Sequence, residues 1–410
     1  MLNKNQGLVF LAAVAAASAA SPVSAKSFPV GSGLTLTPSI DARLRYENVS
    51  RPAPLQDGDA VTVRVRPGIT LGTGSGFSVL VEGEGTLGIE KDYDAFPFPG
   101  FGKDGLGVIA DPENIELNRA QIQYKSKAMT LTGGRQRINL DDQRFVGSVG
   151  WRQNEQTFDA VRAEATLGPV TLDGTYSWSQ RTIFGIDAGR RQAYSGEFLF
   201  LGAAAALGPV KVKAFSYLLD FDAKEPVALT STQTYGARAT AAFKLAPKAT
   251  LNLAASYATQ SDYKLNPGSY SADYIAAEAG LGYGNYTVTG GYELLGSDNG
   301  AAFQTPLATL HKFNGWADLF LTTPAAGLQD IYVGLAAKFP QVKALPGLNA
   351  AVIYHDFQSD VGDVDYGGEW NASLGFKVWK TSLLFKYADY DAKGFGVDTS
   401  KFWVQLEWAY

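Results

Sequence analysis

LTLTPSIDARLRYE, residues Leu34–Glu47, is the stretch on which the reading of the fold turns. Leu36, Ile40, Ala42, Leu44 and Tyr46 share one side of a two-residue period, and Asp41, Arg43, Arg45 and Glu47 share the other. Successive side chains of a strand point to opposite faces, so the segment reads as a ribbon with one apolar and one charged side. Val61–Leu71 repeats the pattern, with Val61, Val63, Val65, Ile69 and Leu71 opposite Thr62, Arg64, Arg66 and Thr70. Val170–Arg181, Tyr235–Leu245, Ala249–Gln260, Tyr286–Leu294 and Glu369–Val378 alternate in the same way. A soluble sandwich alternates too, but a membrane barrel requires many such segments, with one face for lipid and one for the lumen.

The two ends favour the membrane. Residues 1–25 carry Lys4, an apolar run from Leu8 to Ala20 and the small residues Val23-Ser24-Ala25, the layout of a secretory signal. That run is too short for a transmembrane helix, which needs about 20 residues. The last ten residues, KFWVQLEWAY, alternate Phe402, Val404, Leu406, Trp408 and Tyr410 with Lys401, Gln405 and Glu407. A terminal strand closing on an aromatic residue resembles the C-terminal assembly signal of Gram-negative outer-membrane barrels. The expected layout is a signal peptide, 1–25, and one outer-membrane barrel, 26–410. Its expected partners are outer-membrane lipid, lipopolysaccharide and the barrel-assembly machinery, the last engaged through Phe402, Trp408 and Tyr410.

Composition agrees. The 410 residues include 45 glycines, 23 phenylalanines and 20 tyrosines, which suits many strands better than helices. No cysteine is present, so disulfide scaffolds and thiolate metal sites are excluded. Lysine and arginine number 35 against 40 acidic residues, a mild acidity that argues against nucleic acid.

Connections alternate in length. Short ones fall near Gly72–Gly76, Ser126–Ala128, Gly168-Pro169, Gly208-Pro209, Ala246–Lys248, Gly284-Asn285, Pro340–Gly347 and Trp379–Thr381. Long ones fall near Asn48–Asp59, Glu90–Asn114, Asn139–Gln156, Thr182–Gln192, Asp222–Gln233, Ser261–Ser271, Gly296–Gln329, Ser359–Gly367 and Asp389–Thr399. Short periplasmic turns and long outer loops are the barrel rule. The expectation is an all-β, antiparallel transmembrane barrel of 18 strands with both termini periplasmic. His311–Leu321 reads either as a strand or as a helix face (Phe313, Trp316, Ala317, Phe320, Leu321), and parity favours a short helix inside the long Gly296–Gln329 loop. Phase slips at Leu117/Ile122, Phe158/Val161 and Val212/Tyr217 predict bulges or shifted boundaries.

A barrel of this size leaves an aqueous channel, so function resides on its lumen face. Arg43 and Arg45 would neighbour Arg64 and Arg66, with Glu82 and Glu84 one strand further on. Such ladders set selectivity in pores, or merely neutralise one another. Of 15 arginines, 14 precede residue 192. Five of them lie in Gly133–Arg162, which reads as strand 5, an outer connection and strand 6.

Gly134–Gln136 (GRQ), Arg144–Gly147 (RFVG) and Trp151–Arg162 (WRQNEQTFDAVR) resemble the alginate-export family of outer-membrane porins. Thr305–Leu321 (TPLATLHKFNGWADLFL) and Gly327–Asp330 (GLQD) resemble it as well. The resemblance implies an 18-stranded barrel with an inward-folded loop and a charged constriction, passing an acidic polysaccharide outward or small molecules across the membrane. The acidic balance and the arginine-poor second half point to a small anionic or polar solute, a uronate or an oligosaccharide, moved by passive diffusion. Arg135, Arg137, Arg144 and Arg152 then become solute-facing cations, because guanidinium forks match carboxylates. The competing reading is that Asp141, Asp142 and Asp159 hold those forks. Trp151, Phe145 and Phe158 offer stacking faces, with Phe158 better suited to an interfacial girdle. His311, Lys312 and Asp318 are placed to cap the same passage.

Catalysis is not expected. His311 and His355 are the only histidines, and neither GxSxG nor HExxH occurs. No cofactor or metal ion is implied by any motif.

Overall fold

The computed structural model describes residues 26–410, so the expected signal peptide lies outside the described residues. Eighteen antiparallel strands close into one barrel. They are β1 (Leu34–Ser50), β2 (Gly58–Thr73), β3 (Phe77–Asp92), β4 (Asn114–Lys125), β5 (Met129–Gln136) and β6 (Thr157–Leu167). Next come β7 (Val170–Arg181), β8 (Ala193–Leu207), β9 (Val210–Phe221), β10 (Thr232–Ala246), β11 (Ala249–Asp262) and β12 (Ser271–Tyr283). The last six are β13 (Tyr286–Leu295), β14 (Leu328–Lys338), β15 (Asn349–Gln358), β16 (Asp365–Val378), β17 (Thr381–Ala392) and β18 (Thr399–Ala409). Each pairs with its sequence neighbour, and β1 pairs with β18 from Asp41↔Ala409 to Ser50↔Ser400, which removes both sheet edges. A short strand, Phe28–Gly31, adds a hairpin at the foot of β1.

The two-residue period sorts the faces as read. Arg43, Arg45, Glu47, Arg64 and Arg66 are buried inside, while Ile69, Leu87, Ile89, Ile115 and Leu167 are exposed outside. Aromatic side chains collect at the short-turn end, where Tyr283 and Tyr286 flank one turn and Trp379, 96% exposed, stands in another. Such a ring suits a membrane interface. The connection at 339–348 is longer than those at 359–364 and 393–398, so length alternation holds as a trend and not at every step.

Two of the three phase slips are irregularities in the ladder. The β3–β4 register shifts between Glu82 and Gly83, opposite Arg119 and Leu117, and the β6–β7 register shifts between Asp159 and Ala160. The third has a different cause. β9 runs in unbroken register, and its inner face beyond Lys213 is apolar, with Phe215, Tyr217, Leu219 and Phe221 turned inward.

His311–Leu321 forms neither the expected helix nor a strand. Only Leu310–Lys312 makes a single 3-10 turn. Asn314, Gly315 and Asp318 follow with φ of 54°, 85° and 64°, and a right-handed helix cannot pass through such residues. The apolar side chains at helical spacing pack inward from an irregular chain: Phe313, Trp316, Ala317 and Phe320 are all buried.

Candidate functional site

The barrel would be wide were it not for its own loops. The connection 137–156, between β5 and β6, runs as a collar around the inside of the wall. Arg137 closes its neck on Glu155, with Nε and Nη2 donating at 2.8 and 2.6 Å. Beyond the neck Asp141 meets Lys213 of β9 and Asp142 meets Arg238 of β10, both at 2.8 Å. Arg144 donates to Glu293 of β13 at 2.7 Å, to Thr305 at 2.8 Å and to Asn314 at 3.1 Å. Returning, the Trp151 carbonyl accepts from Arg43 at 2.8 Å and from Arg45 at 2.5 Å. The Gln153 carbonyl accepts from Arg66 at 3.0 Å, and Glu155 accepts from Asn118 of β4 at 2.6 Å. Carbonyls inside a barrel need donors, and the arginines of β1 and β2 provide them.

The connection 296–327, between β13 and β14, lies against this collar. Val146 and Leu307 form an isolated bridge. Glu369 of β16 accepts the backbone N–H of Trp316 at 2.5 Å and of Ala317 at 2.9 Å. A side chain at position 315 would collide with that carboxylate, so glycine there permits the approach. Arg152 joins the two loops to the wall, donating to Glu47 of β1 at 3.2 Å and to Asp318 at 2.7 Å, and Lys401 of β18 reaches Asp318 at 3.1 Å.

The loop carboxylates are tuned by this packing. Burial would raise Asp318, but the His311 ring, Lys401 and Arg152 hold it well below the ordinary carboxylate range. Glu155 is likewise held low: Arg137 and Arg66 outweigh its burial. Burial pushes His311 well below the usual imidazole range. Its neutral ring donates from Nδ1 to Asp318 at 2.7 Å and accepts the Lys386 ammonium at Nε2 at 2.8 Å.

Every arginine of the β1–β2 ladder has a carboxylate partner. Arg43 pairs with Glu407 at 2.8 Å, Arg45 with Asp111 at 3.3 Å, Arg64 with Asp41, and Arg66 with Glu84. Glu82 takes Arg119 of β4 at 2.5 Å. Among the solute-facing cations expected from sequence, Arg137 keeps 32% of its side-chain surface, whereas Arg144 and Arg152 keep 2% and 6%. Arg135 does not face the lumen: its register with Ala120 and Asp159 puts it in the outward row of Ile122 and Val161. Asp159 does hold Arg135, at 2.8 and 2.9 Å. Asp141 and Asp142 do not hold the collar's arginines; they cross to the facing wall.

The aromatic expectations shift too. Trp151 is stacked on His311, with centroids 4.6 Å apart, and the Arg45 guanidinium and the Lys386 ammonium lie 4.1 and 4.0 Å from its centroid. Its faces are occupied by the protein itself. Phe158 belongs to no girdle: it is fully buried and packs edge-on against Phe200 inside the barrel. Phe145 packs among Phe215, Tyr217, Tyr274 and Phe303.

Sequence reading passed over Glu47, Lys213, Arg238, Glu293, Glu369, Lys386 and Glu407. Glu47 and Glu407 were visible as the polar side of their alternating strands, while the others needed the register.

This architecture has recognisable relatives. A family model described as Alginate export matches residues 36–290. The chain belongs to the alginate export family. The family match runs from β1 into the first half of β13 and includes the collar, while Thr305–Leu321 lies beyond it. No curated protein sequence matches the chain. Among solved structures, OccK9 (OpdG) of Pseudomonas aeruginosa is similar at 15% identity with a TM-score of 0.73, over 91% of this chain and 98% of that one. OpdK of the same organism, solved with vanillate, is similar at 14% identity and a TM-score of 0.70, over 91% and 98%. OccAB4 of Acinetobacter baumannii gives 13% and 0.71, over 91% and 97%. At such identities these channels share the fold of this alginate export family member.

Proposed function

We propose that the protein is an outer-membrane channel through which a small anionic or polar solute diffuses passively. The observation that carries this reading is the collar. Two loops pinned to the wall narrow the lumen, and Arg137 at the neck of the collar keeps part of its side-chain surface open. A guanidinium that is paired yet accessible can exchange a protein carboxylate for a solute carboxylate. The vanillate bound to OpdK, itself a carboxylate, supports a solute of this size. Family membership favours a second reading, export of an acidic polysaccharide, but a polymer needs the collar displaced along its whole path.

Reconstitution in planar bilayers tests the proposal. Unit conductance steps are expected, with Arg137→Ala shifting the reversal potential towards cations. A silent barrel, or an unmoved potential, would refute it. Liposome swelling with uronates against long polyuronate separates the two readings.

A further inference from the structure

The collar tip carries two adjacent carboxylates into a cationic site, and that site matches a solute. Lys213 of β9 and Arg238 of β10 stand directly opposite each other in the ladder. Like charges in that position repel, so the pair calls for anions between them. Asp141 Oδ2 and Asp142 Oδ2 supply them, each at 2.8 Å, and Lys312 Nζ adds a third cation, 2.7 Å from the Asp142 carbonyl. Arg238 also donates to Ser256 Oγ at 3.0 Å, and Tyr217 Oη lies 3.5 Å from Asp141. Glu278, held by the Tyr332 hydroxyl at 2.6 Å, is a further carboxylate in the field of Arg238 and Lys312.

Two features mark these aspartates as exchangeable. Their side chains keep 22% and 26% of their surface, unlike the carboxylates that grip Arg144 and Arg152. Partly exposed ion pairs hold weakly, since water competes for both partners. The backbone is also bent at the tip, with φ of 51° at Asp141 and 71° at Gln143, a region that non-glycine residues seldom adopt.

We infer that Lys213, Arg238 and Lys312 form the binding site for a dicarboxylate solute, and that Asp141–Asp142 occupies it as an internal substitute which the solute displaces. The inference rests on the channel reading and specifies its solute. Neither the ladder of β1–β3 nor Arg135 is part of this site.

The test uses the full barrel with succinate and propionate at matched ionic strength, by single-channel current and by calorimetry in detergent. Succinate is expected to interrupt the current and to give binding heat, and propionate to do neither. Freeing a site from an internal competitor raises its apparent affinity. Asp141→Asn with Asp142→Asn should therefore lower the half-blocking succinate concentration on the order of tenfold, and Arg238→Gln alone should abolish both signals. Equal responses to the two acids, or an asparagine variant indistinguishable from the parent, would overturn the site. Succinate heat from a barrel without conductance steps would instead overturn the channel reading and leave the site standing.

Discussion

Two walls of this barrel hold the same collar by different physics. The wall of β1–β3 presents Arg43, Arg45, Arg64 and Arg66 and grips the returning half of the loop through its carbonyls and through Glu155. The facing wall adds an aromatic bed to the three ion pairs of the collar tip: Phe198 and Phe200 of β8, Phe215 and Tyr217 of β9 and Tyr274 of β12 cluster with Ile138, Leu140 and Val146. Buried charge is specific but costly to desolvate, and it holds only while every partner is present. Apolar packing is additive and tolerates partial loss. The returning half of the collar thus depends sharply on a few ions, while its tip adds many diffuse apolar contacts to its own ion pairs.

The largest effect should come from cutting the ionic side. Arg152→Ala strands Glu47 and Asp318 without their shared cation, a loss of about 3–5 kcal/mol, and should appear as a larger, noisier conductance and a lower melting temperature in detergent. A variant with parental noise would mean that the ions do not position the collar. On the aromatic side Leu307, buried against Val146, is the matched probe. Leu307→Ala should cost about 2–5 kcal/mol, lowering thermal stability while leaving the unit conductance close to that of the parent; equal opening in both variants would erase the contrast. The smallest effect concerns acid. A carboxylate held below its ordinary value contributes stability fully above the unfolded pKa, about 3.9 for aspartate, and loses it only as pH falls through the folded value. With Asp318 and Glu155 both held low, their pairs with Arg152 and Arg137 should be unchanged between about pH 7 and 5 and should loosen only below about pH 4. Current noise recorded as a function of pH checks this, and noise that has already risen by pH 5 would contradict it.

The same contrast explains what could be read in advance. Strands β1 and β2 follow the rule of apolar outside and polar inside, so their faces were legible residue by residue. β9 breaks that rule because its inner side meets a loop instead of water, and Tyr217 therefore looked like a slip of phase. Phe158 looked like a girdle residue for the same reason. His311–Leu321 shows the opposite failure: apolar spacing suggested a helix, but the spacing records which side chains face the collar, and three positive φ angles set the path.

The sequence by itself determined the barrel, its strand number and the lumen placement of the arginines on β1 and β2, because a period of two and the parity of turns are local and cumulative. Only the tertiary structure decided which arginines are free. Pairing depends on register across strands far apart in the chain, as when β18 brings Glu407 to Arg43, and on where a loop comes to rest inside the lumen. Five arginines between Gly133 and Arg162 looked alike in sequence. In the barrel Arg144 and Arg152 are structural cations, Arg135 pairs with Asp159 on the outward row of the wall, and Arg137 alone of the four keeps an edge open beside the collar.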